Sequence, residues 1–406
     1  MKVLCVLGEH NYGKPERGAC YEYVHFLPAI RNLGHEVVFF ESFNRSKYQS
    51  FAELNRKLLE TVNTEQPEVV LCVLMGYEVW LETLQLICDQ STATLINWST
   101  DDSWKYEQFS KFVAPVFHMY ATTYASALEK AAKDGHNNFY LTQWAANSAT
   151  LQKPLPASEC KYPVTFIGTA YGKRPQWMTR LAEAGIHVEC FGFGWKNGPV
   201  RAEDIPRIMR DSVISLNFGD SGIQWKGLRP MRSRQIKARI FEVPGAGGFL
   251  ISENAENLNK FYCAEEIETF DGVDELGGKI KKYLDEFANR DRIAEAGYRR
   301  TIYQHTYEHR FSKLLDAAEK MKKNSSQHLT SGIDMEMFSE IEKKHKVGIA
   351  LRLLGQLWRF PFILVWGKVR GPRAARRLMF ELSWRFAGGK TFSASGWPGR
   401  LFYQES

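Results

Sequence analysis

The chain predicts an α/β protein: two Rossmann-like, doubly wound parallel-sheet domains facing a cleft, with a basic, aromatic-rich C-terminal extension. Three observations carry this. Short apolar runs alternate with helix-period segments from the start, the alternation breaks at 143–161 and restarts, and composition shifts again after 346. A length of 406 residues with 44% hydrophobic and 24% charged positions supports more than one core. It excludes wholesale disorder, collagen-like repeats and a disulfide-stapled miniprotein.

In the first domain (1–145) the apolar runs 2–7, 36–40, 69–73, 94–98, 116–120 and 139–141 read as strands. Helix-period segments at 21–33, 51–62, 77–88 and 125–132 separate them, and Gly34 after Leu33 reads as a left-handed helix cap. Strand–helix alternation at this pitch gives right-handed βαβ units and a parallel sheet covered on both faces. Pro154 and Pro156 mark the connection. The second domain (146–322) then runs strand 164–167, helix 175–184, strand 187–191, helix 204–211, strand 213–217, helix 234–243 and strand 248–252. Helices at 274–286, 291–305 and 310–322 close it. Residues 323–346 read as a polar linker with one short helix, and 347–406 as the extension.

The net charge of +7 is unevenly placed. Residues 341–406 hold 13 Lys/Arg against 3 Asp/Glu, whereas 1–340 carry a slight acidic excess. The 7 cysteines are scattered, odd in number and never spaced C-x-x-C, which points to a reducing, cytoplasmic setting and away from zinc or a disulfide framework. The segment Met1 to Gly8 is too short for a signal peptide. Arg359 and Pro361 interrupt the best apolar run, 349–366, and argue against a bilayer span.

A dinucleotide fingerprint is missing: the glycines after the first strand are Gly8, Gly13 and Gly18, and Gly192-Phe193-Gly194 lacks its third member. No complete P-loop, G-x4-G-K-[ST], occurs: Gly389-Lys390-Thr391 has Trp384 where the motif needs its first glycine. The run Val164 to Arg174 is a strand entering a glycine-containing basic loop, whose N–H groups, with Lys173 or Arg174, can bind phosphate oxygens. An ordinary strand–turn–helix with a solvated basic pair is the plain alternative. Downstream, Arg239 and Glu242 are helix neighbours at i, i+3, and Gly245, Gly247 and Gly248 allow a tight turn into the next strand. Glu242 is suited to hold ribose hydroxyls or, equally simply, to pair with Arg239 at the surface. His305 and His309 have zinc-helix spacing, but Thr306 stands where a zincin needs Glu, so they read as structural.

The stretch Gln235-Ile236-Lys237-Ala238-Arg239, with Phe241-Glu242, Gly247-Gly248-Phe249-Leu250, Ile293-Ala294-Glu295-Ala296-Gly297, His305-Thr306-Tyr307 and Arg310, resembles the group-1-type glycosyltransferase domain of the CgeB-like (spore-maturation) family. Phe166-Ile167-Gly168, Phe191-Gly192, Gly194-Trp195 and Leu216-Asn217-Phe218 are similar to the same family. The resemblance covers residues 160–320 well and the first half loosely. It implies a GT-B fold, a nucleotide-sugar donor as co-substrate on the second domain, an acceptor on the first, and no cofactor. The implied donor-binding residues are Gly168, Arg174, Asn217, Lys237, Arg239, Glu242, Gly247 and Gly248. Glu242 matches the second Glu of the family's E-x7-E motif; the first would fall at 234, where this chain has Arg234. Arg174, Lys237 and Arg239 are the cations that would neutralise a diphosphate leaving group. No D-x-D motif is present, in keeping with a metal-independent enzyme. A non-catalytic GT-B module and a nucleotide-sugar epimerase of the same fold are the alternatives to a glycosyltransferase of polysaccharide biosynthesis.

On the acceptor side, the loops Gly8-Glu9-His10 and Ser99-Thr100-Asp101-Asp102 follow strands of one sheet. His10, Asp101 and Asp102 are the candidate general bases, although either Asp can instead cap the following helix. Tyr12, Gly13 and Arg17 are candidate acceptor contacts, the acceptor being a glycan or lipid-linked saccharide. For the extension three readings stand: an anionic membrane surface, the inner face in a cell; packing on the body or self-association; and, least favoured, single-stranded nucleic acid.

Overall fold

The computed structural model describes residues 1–226, 229–324 and 332–403. The chain divides into two compact units, one of 1–122, 126–142 and 313–406, the other of 123–125 and 143–312. The extension therefore clusters with the N-terminal residues.

The first unit is built on β1 (Lys2–Leu7), α1 (Tyr21–Asn32), β2 (Glu36–Glu41), α2 (Phe51–Glu65), β3 (Val69–Cys72), α3 (Leu81–Gln90) and β4 (Thr94–Ser99). A helical stretch follows, of α4 (Asp102–Lys105), a π-helical turn at Tyr106–Ser110 and α5 (Lys111–Val113), then β5 (Met119–Thr122), α6 (Ala125–Lys133) and β6 (Phe139–Leu141). The strands lie in the order β2-β1-β3-β4-β5-β6, all parallel. Every residue of β3 and β4 is buried, as a sheet covered on both faces requires. Gly34 takes φ +83°, the left-handed cap expected of it. The expected strand at 116–120 starts later, because Ala114–Val116 forms a 3-10 turn around Pro115.

The second unit contains β7 (Tyr162–Ile167), α7 (Arg174–Glu183), β8 (Glu189–Phe191), α8 (Ile205–Arg210), β9 (Ser212–Asn217), a hairpin of β10 (Gln224–Lys226) and β11 (Arg229–Met231), and α9 (Arg239–Gly245). It ends with β12 (Leu250–Glu253), β13 (Glu268–Phe270), α10 (Val273–Asp285), α11 (Phe287–Gln304) and α12 (Tyr307–Asn324), the last divided between the units at residue 312. Its main sheet has the order β13-β12-β9-β7-β8, again all parallel. The hairpin and β13 have no counterpart in the sequence expectation, since neither shows an apolar run. The expected helix at 234–243 begins only at Arg239. Residues before it are held extended, with Asp220 bridging Arg234 and the Gln235 N–H donating to the Gly219 carbonyl at 2.9 Å.

The connecting segment 143–161 is locked to this second core by Arg290, which is fully buried. Its guanidinium donates to the carbonyls of Leu155, Ser212 and Val213, each at 2.8 Å.

The C-terminal part is more ordered than a linker and tail. Of 323–346, residues 325–331 lie outside the described residues; beyond them α13 (Met335–His345) is capped by Asp334 and buries Phe338 against Trp80. Next, α14 (Ile349–Ala387) runs through Pro361, so the expectation that Arg359 and Pro361 break the apolar run is corrected. Arg359 is accommodated because its guanidinium donates to the Leu401 carbonyl at 2.6 Å and lies over the Phe402 ring. The run is long and apolar enough to cross a membrane by length and composition. It folds back on itself at Gly367 (φ +74°), so its halves form a hairpin. A Cβ on Gly371 would lie 2.6 Å from the Ile363 Cα, and the Trp358 indole donates to the Ala375 carbonyl at 3.1 Å. The final segment, with α15 (Trp397–Phe402), enters the core of the first unit. Phe392 packs on Phe109, Phe112 and Phe380, and Tyr403 stacks on Phe51.

Candidate functional site

In the second unit the carboxyl ends of β7, β8, β9, β12 and β13 share one edge, the edge where open parallel sheets bind ligands. Gly168 leaves β7 with its N–H donated to the Phe191 carbonyl at 2.8 Å, and Ala170 donates to Phe193 in the same way. Gly192 must be glycine: at φ +128° any Cβ would fall 2.4 Å from the Gly168 carbonyl oxygen. These N–H groups are therefore committed to joining two loops. The phosphate cradle expected at 168–174 is not formed by them.

Arg174 is likewise committed. Its guanidinium donates to the Thr169 and Phe218 carbonyls and to the Tyr171 hydroxyl at 3.0–3.2 Å, and stacks over the Tyr171 ring. Burial lowers its pKa, while the nearby Tyr171, Asp220 and Glu253 favour the charged form. Arg174 ties the β7 loop to the β9 loop. Lys173, one residue earlier, is the exposed cation of this loop. Asn217 is buried within the sheet, donating to the Ser252 hydroxyl at 2.9 Å.

Arg239 opens α9 with its Nε 3.5 Å from the Ile167 carbonyl, which places it at the carboxyl end of β7. Its guanidinium pairs with Glu242, whose side chain is almost wholly buried, so the pair is internal and not a surface bridge. Lys237 is half-buried in the segment leading into the same helix. Gly247 turns at φ +82° with the Gln152 carbonyl 2.5 Å from an added Cβ, and Gly248 meets the Met209 carbonyl at 2.6 Å. Both serve close backbone packing and the turn into β12.

The residues sequence reasoning missed are acidic. Glu253 ends β12, is buried, accepts the Gly219 N–H at 2.9 Å, and faces Arg234 Nε at 3.0 Å. Burial raises its pKa; the Gly219 bond and Arg234 pull the other way. Arg234 also donates to both the carboxylate and the carbonyl of Asp271, after β13. Position in the sheet was the available signal, since Glu253 and Asp271 each follow directly on a strand. Phe193, 63% exposed on the β8 loop, offers an aromatic face at the same edge.

His305 and His309 do not form a metal site. The His305 Nδ1 accepts from Arg310 at 3.1 Å and Nε2 donates to the Phe261 carbonyl at 2.9 Å, so both ring nitrogens are used. Burial and the Arg310 charge push its pKa down to about 4.

In the first unit the loops after β1 to β4 form the corresponding edge. The buried Glu41 carboxylate accepts the N–H groups of Glu9, Phe43 and Asn44, fixing two of these loops together. His10 bridges Ala19, with its Nδ1 3.8 Å from the Glu9 carboxylate. Gly13 (φ +68°) approaches the Phe43 carbonyl so closely that a Cβ would lie at 2.3 Å. Tyr12 is strongly exposed, with the Arg17 guanidinium 5.0 Å from its ring centre. The two aspartates part company. Asp102 is 1% exposed and accepts from the hydroxyls of Ser99 and Ser110, with burial raising its pKa, so it is a buried structural acid and not the base expected. Asp101, at the N-cap of α4 without a capping side-chain bond, lines a cavity of about 500 Å³ together with Tyr12. Glu22, missed by sequence reasoning, is held by the Cys20 thiol at 3.0 Å; burial chiefly, and the Asp101 charge, raise its pKa. Among the described residues no cluster of His, Cys, Asp or Glu is placed to hold a metal.

The arrangement of two parallel sheets with helices between their strands is similar to that of solved glycosyltransferase structures. A glycosyltransferase from Rickettsia africae aligns at 11% identity over 80% of this chain and 99% of its own, with a TM-score of 0.57. Sucrose-phosphate synthase from Thermosynechococcus elongatus gives 11%, 80%, 100% and 0.55, and Anabaena HepE in complex with UDP-glucose 11%, 79%, 100% and 0.53. The fold is GT-B. At these identities the likeness is one of fold. By sequence, residues 173–316 match the Glycosyl transferase-like family. That span holds Lys173, Arg174, Arg234, Lys237, Arg239, Glu242, Glu253 and Asp271, charged groups described above at the second unit's ligand edge. No curated protein matches the chain.

Proposed function

We propose that this protein is a glycosyltransferase that moves a sugar from a nucleotide-sugar donor to a glycan or lipid-linked saccharide, of the kind the CgeB-like resemblance implies and without a metal. The observation that carries this is the Arg239–Glu242 pair, held at the carboxyl end of β7 inside the segment that matches the Glycosyl transferase-like family. Glu242 is the carboxylate for the donor ribose, and Arg239, Lys237 and Lys173 are the cations for its diphosphate. Their charge is worth most as negative charge develops on the departing diphosphate. Asp101 takes the acceptor proton. Anabaena HepE, whose structures hold UDP with glucose and UDP-glucose, supports the donor class.

The test is direct. Nucleoside diphosphates and nucleotide sugars are screened by thermal shift, since a ligand of the folded state raises its apparent stability. Turnover is then followed with labelled donors over an acceptor panel. Glu242→Gln and Lys237→Ala are expected to lose donor binding and transfer. Nucleotide binding without turnover over the whole panel would favour the non-catalytic module, a reading to which Arg234 at the position of the motif's first Glu lends weight.

The working place we infer is the surface of an anionic membrane on the cytoplasmic side. Ile349, Leu353, Leu357, Phe360, Leu364 and Val365 stand exposed on the first half of α14, and Lys368 and Arg370 are exposed at its fold-back. Apolar burial and attraction to acidic headgroups act together in such a helix. Leu357→Ser/Phe360→Ser/Leu364→Ser should abolish co-flotation with anionic liposomes; unchanged flotation would end this reading. Removal of the extension is not the equivalent test, because Phe392 and Tyr403 belong to the core.

A further inference from the structure

The cavity at the ligand edge of the first unit is walled on one side by the second half of α14. Four loops make its floor: Tyr12 after β1, Phe43 and Arg45 after β2, Met75 to Glu78 after β3, and Asp101, Trp104 and Lys105 after β4. The second half of α14 closes it with Arg373, Arg376 and Arg377. Positions i, i+3 and i+4 lie on one face of a helix, so the three guanidinium groups point into the same space.

The charges do not cancel within the protein. Five cations line the cavity, namely Arg45, Lys105, Arg373, Arg376 and Arg377, against Glu78, Asp101 and Glu381. Two of those acids are already engaged. Glu78 accepts the N–H groups of Met75 and Gly76 at 3.2 and 2.7 Å, and Glu381 pairs with Arg385 and accepts from the Trp384 indole. Neither Arg373 nor Arg377 has an ion pair among the described residues, and both are exposed to the cavity side of the helix. Deeper in, the buried Arg45 donates its Nη1 to the Tyr403 carbonyl at 2.8 Å while its Nε has no partner, and the buried Tyr77 hydroxyl has none either. Buried polar groups without partners are rare in folded proteins and call for a ligand or water.

We propose that this cavity binds a phosphate or diphosphate group, with Arg373 and Arg377 as its principal ligands and Arg45 and Tyr77 behind them. Paired guanidinium groups match the oxygens of a phosphate and suit it better than a neutral hydroxyl. On the proposed function, which this inference extends, the phosphate belongs to the acceptor: the substrate is a phosphorylated saccharide or a saccharide on a lipid phosphate, with its hydroxyl near Asp101. One ligand chemistry, two sources.

The experiment uses the full chain and separates the sources. Glucose 1-phosphate and inorganic pyrophosphate are titrated calorimetrically. In parallel, binding to phosphatidylcholine vesicles with and without phosphatidic acid is measured. The titrations are repeated on Arg373→Ala/Arg377→Ala and, for side-chain geometry at constant charge, on Arg373→Lys/Arg377→Lys. Each variant is also titrated with UDP, whose proposed site lies on the other unit. The expected result is a tenfold or greater loss of phosphate affinity in the alanine variant, partial recovery with lysine, and unchanged UDP affinity. Loss confined to the soluble probes assigns a free phosphorylated saccharide, and loss confined to the acidic vesicles assigns a lipid phosphate. Equal affinity of wild type and the alanine variant for every phosphate probe, or no binding by wild type, overturns the proposal. If UDP fails to bind while phosphate binding still depends on Arg373 and Arg377, the donor assignment fails and the cavity stands.

Discussion

The Arg234 Nε stands 3.0 Å from the carboxylate of Glu253, a side chain 4% exposed at the end of β12. The same guanidinium reaches Asp271 after β13, so one arginine joins two strand ends of the second unit's sheet. At the position where the E-x7-E motif carries an acid, this chain carries the counter-ion of two acids. The charge of Arg234 is thereby shared between the buried Glu253 and the exposed Asp271.

Removing that arginine leaves Glu253 buried beside Asp220 with only the Gly219 N–H. Arg234→Ala should cost roughly 1–3 kcal/mol in urea unfolding, the penalty of an unpaired buried charged group. Adding Glu253→Gln should recover most of it, because the amide oxygen still accepts from Gly219. An Arg234→Ala protein as stable as wild type would show the pair to be idle.

Neighbouring cations after β7 should separate by role. Arg174→Ala strips three acceptors of their donor and should lower stability by roughly 2–3 kcal/mol. Lys173→Ala, on an exposed residue, should leave the unfolding midpoint in place and weaken nucleoside diphosphate binding severalfold. Calorimetry and thermal melts on the two variants decide it; the reverse pattern would mean that Arg174 and not Lys173 meets the diphosphate.

The adjacent aspartates make a second contrast. Asp101→Asn should reduce kcat by about a hundredfold or more, the usual contribution of a general base, with the melting temperature held. Asp102→Ala should behave oppositely, losing about 1–3 kcal/mol of stability as Ser99 and Ser110 lose their acceptor, while turnover per folded molecule persists.

His305 gives the protein an acid-sensitive joint. Its folded pKa, about 4, lies below the ordinary 6.5, so between these values the unfolded chain holds the extra proton. Its contribution is complete above about pH 6.5 and is lost as pH falls through the window to 4, on the order of 3 kcal/mol in all. Glu22, Asp102 and Glu253, with raised values, act in the opposite sense in that range. Chemical denaturation from pH 4 to 8 on wild type and His305→Gln isolates the term: glutamine can keep both hydrogen bonds without titrating, so the variant should lose less stability on acidification. Parallel curves would remove His305 from the account.

Both sheets were legible in the sequence because fully buried parallel strands are rich in apolar runs, such as residues 3–7 and Val69–Cys72. The Gly34 cap was legible for the same local reason. What escaped was set by distant partners. Glu268–Phe270 is a strand because β12 lies beside it, and Arg359 is tolerated in an apolar helix because Leu401 and Phe402 receive it. At the site, residue type was readable and commitment was not. Arg174 and Arg239 look alike in sequence, yet one is enclosed by three acceptors and the other opens α9 beside Glu242. Asp101 and Asp102 differ only in which side of one turn they face.

The placement of Phe392 and Tyr403 in the first core sets an order of events during translation. Residues 1–142 are made first, but the rings of Phe51, Phe109 and Phe112 are covered by Tyr403 and Phe392, made after the whole of 143–312. The later domain has all its parts in hand while the earlier one waits with an apolar gap open. The core of the half begun first is therefore completed only when residues 392–403 arrive.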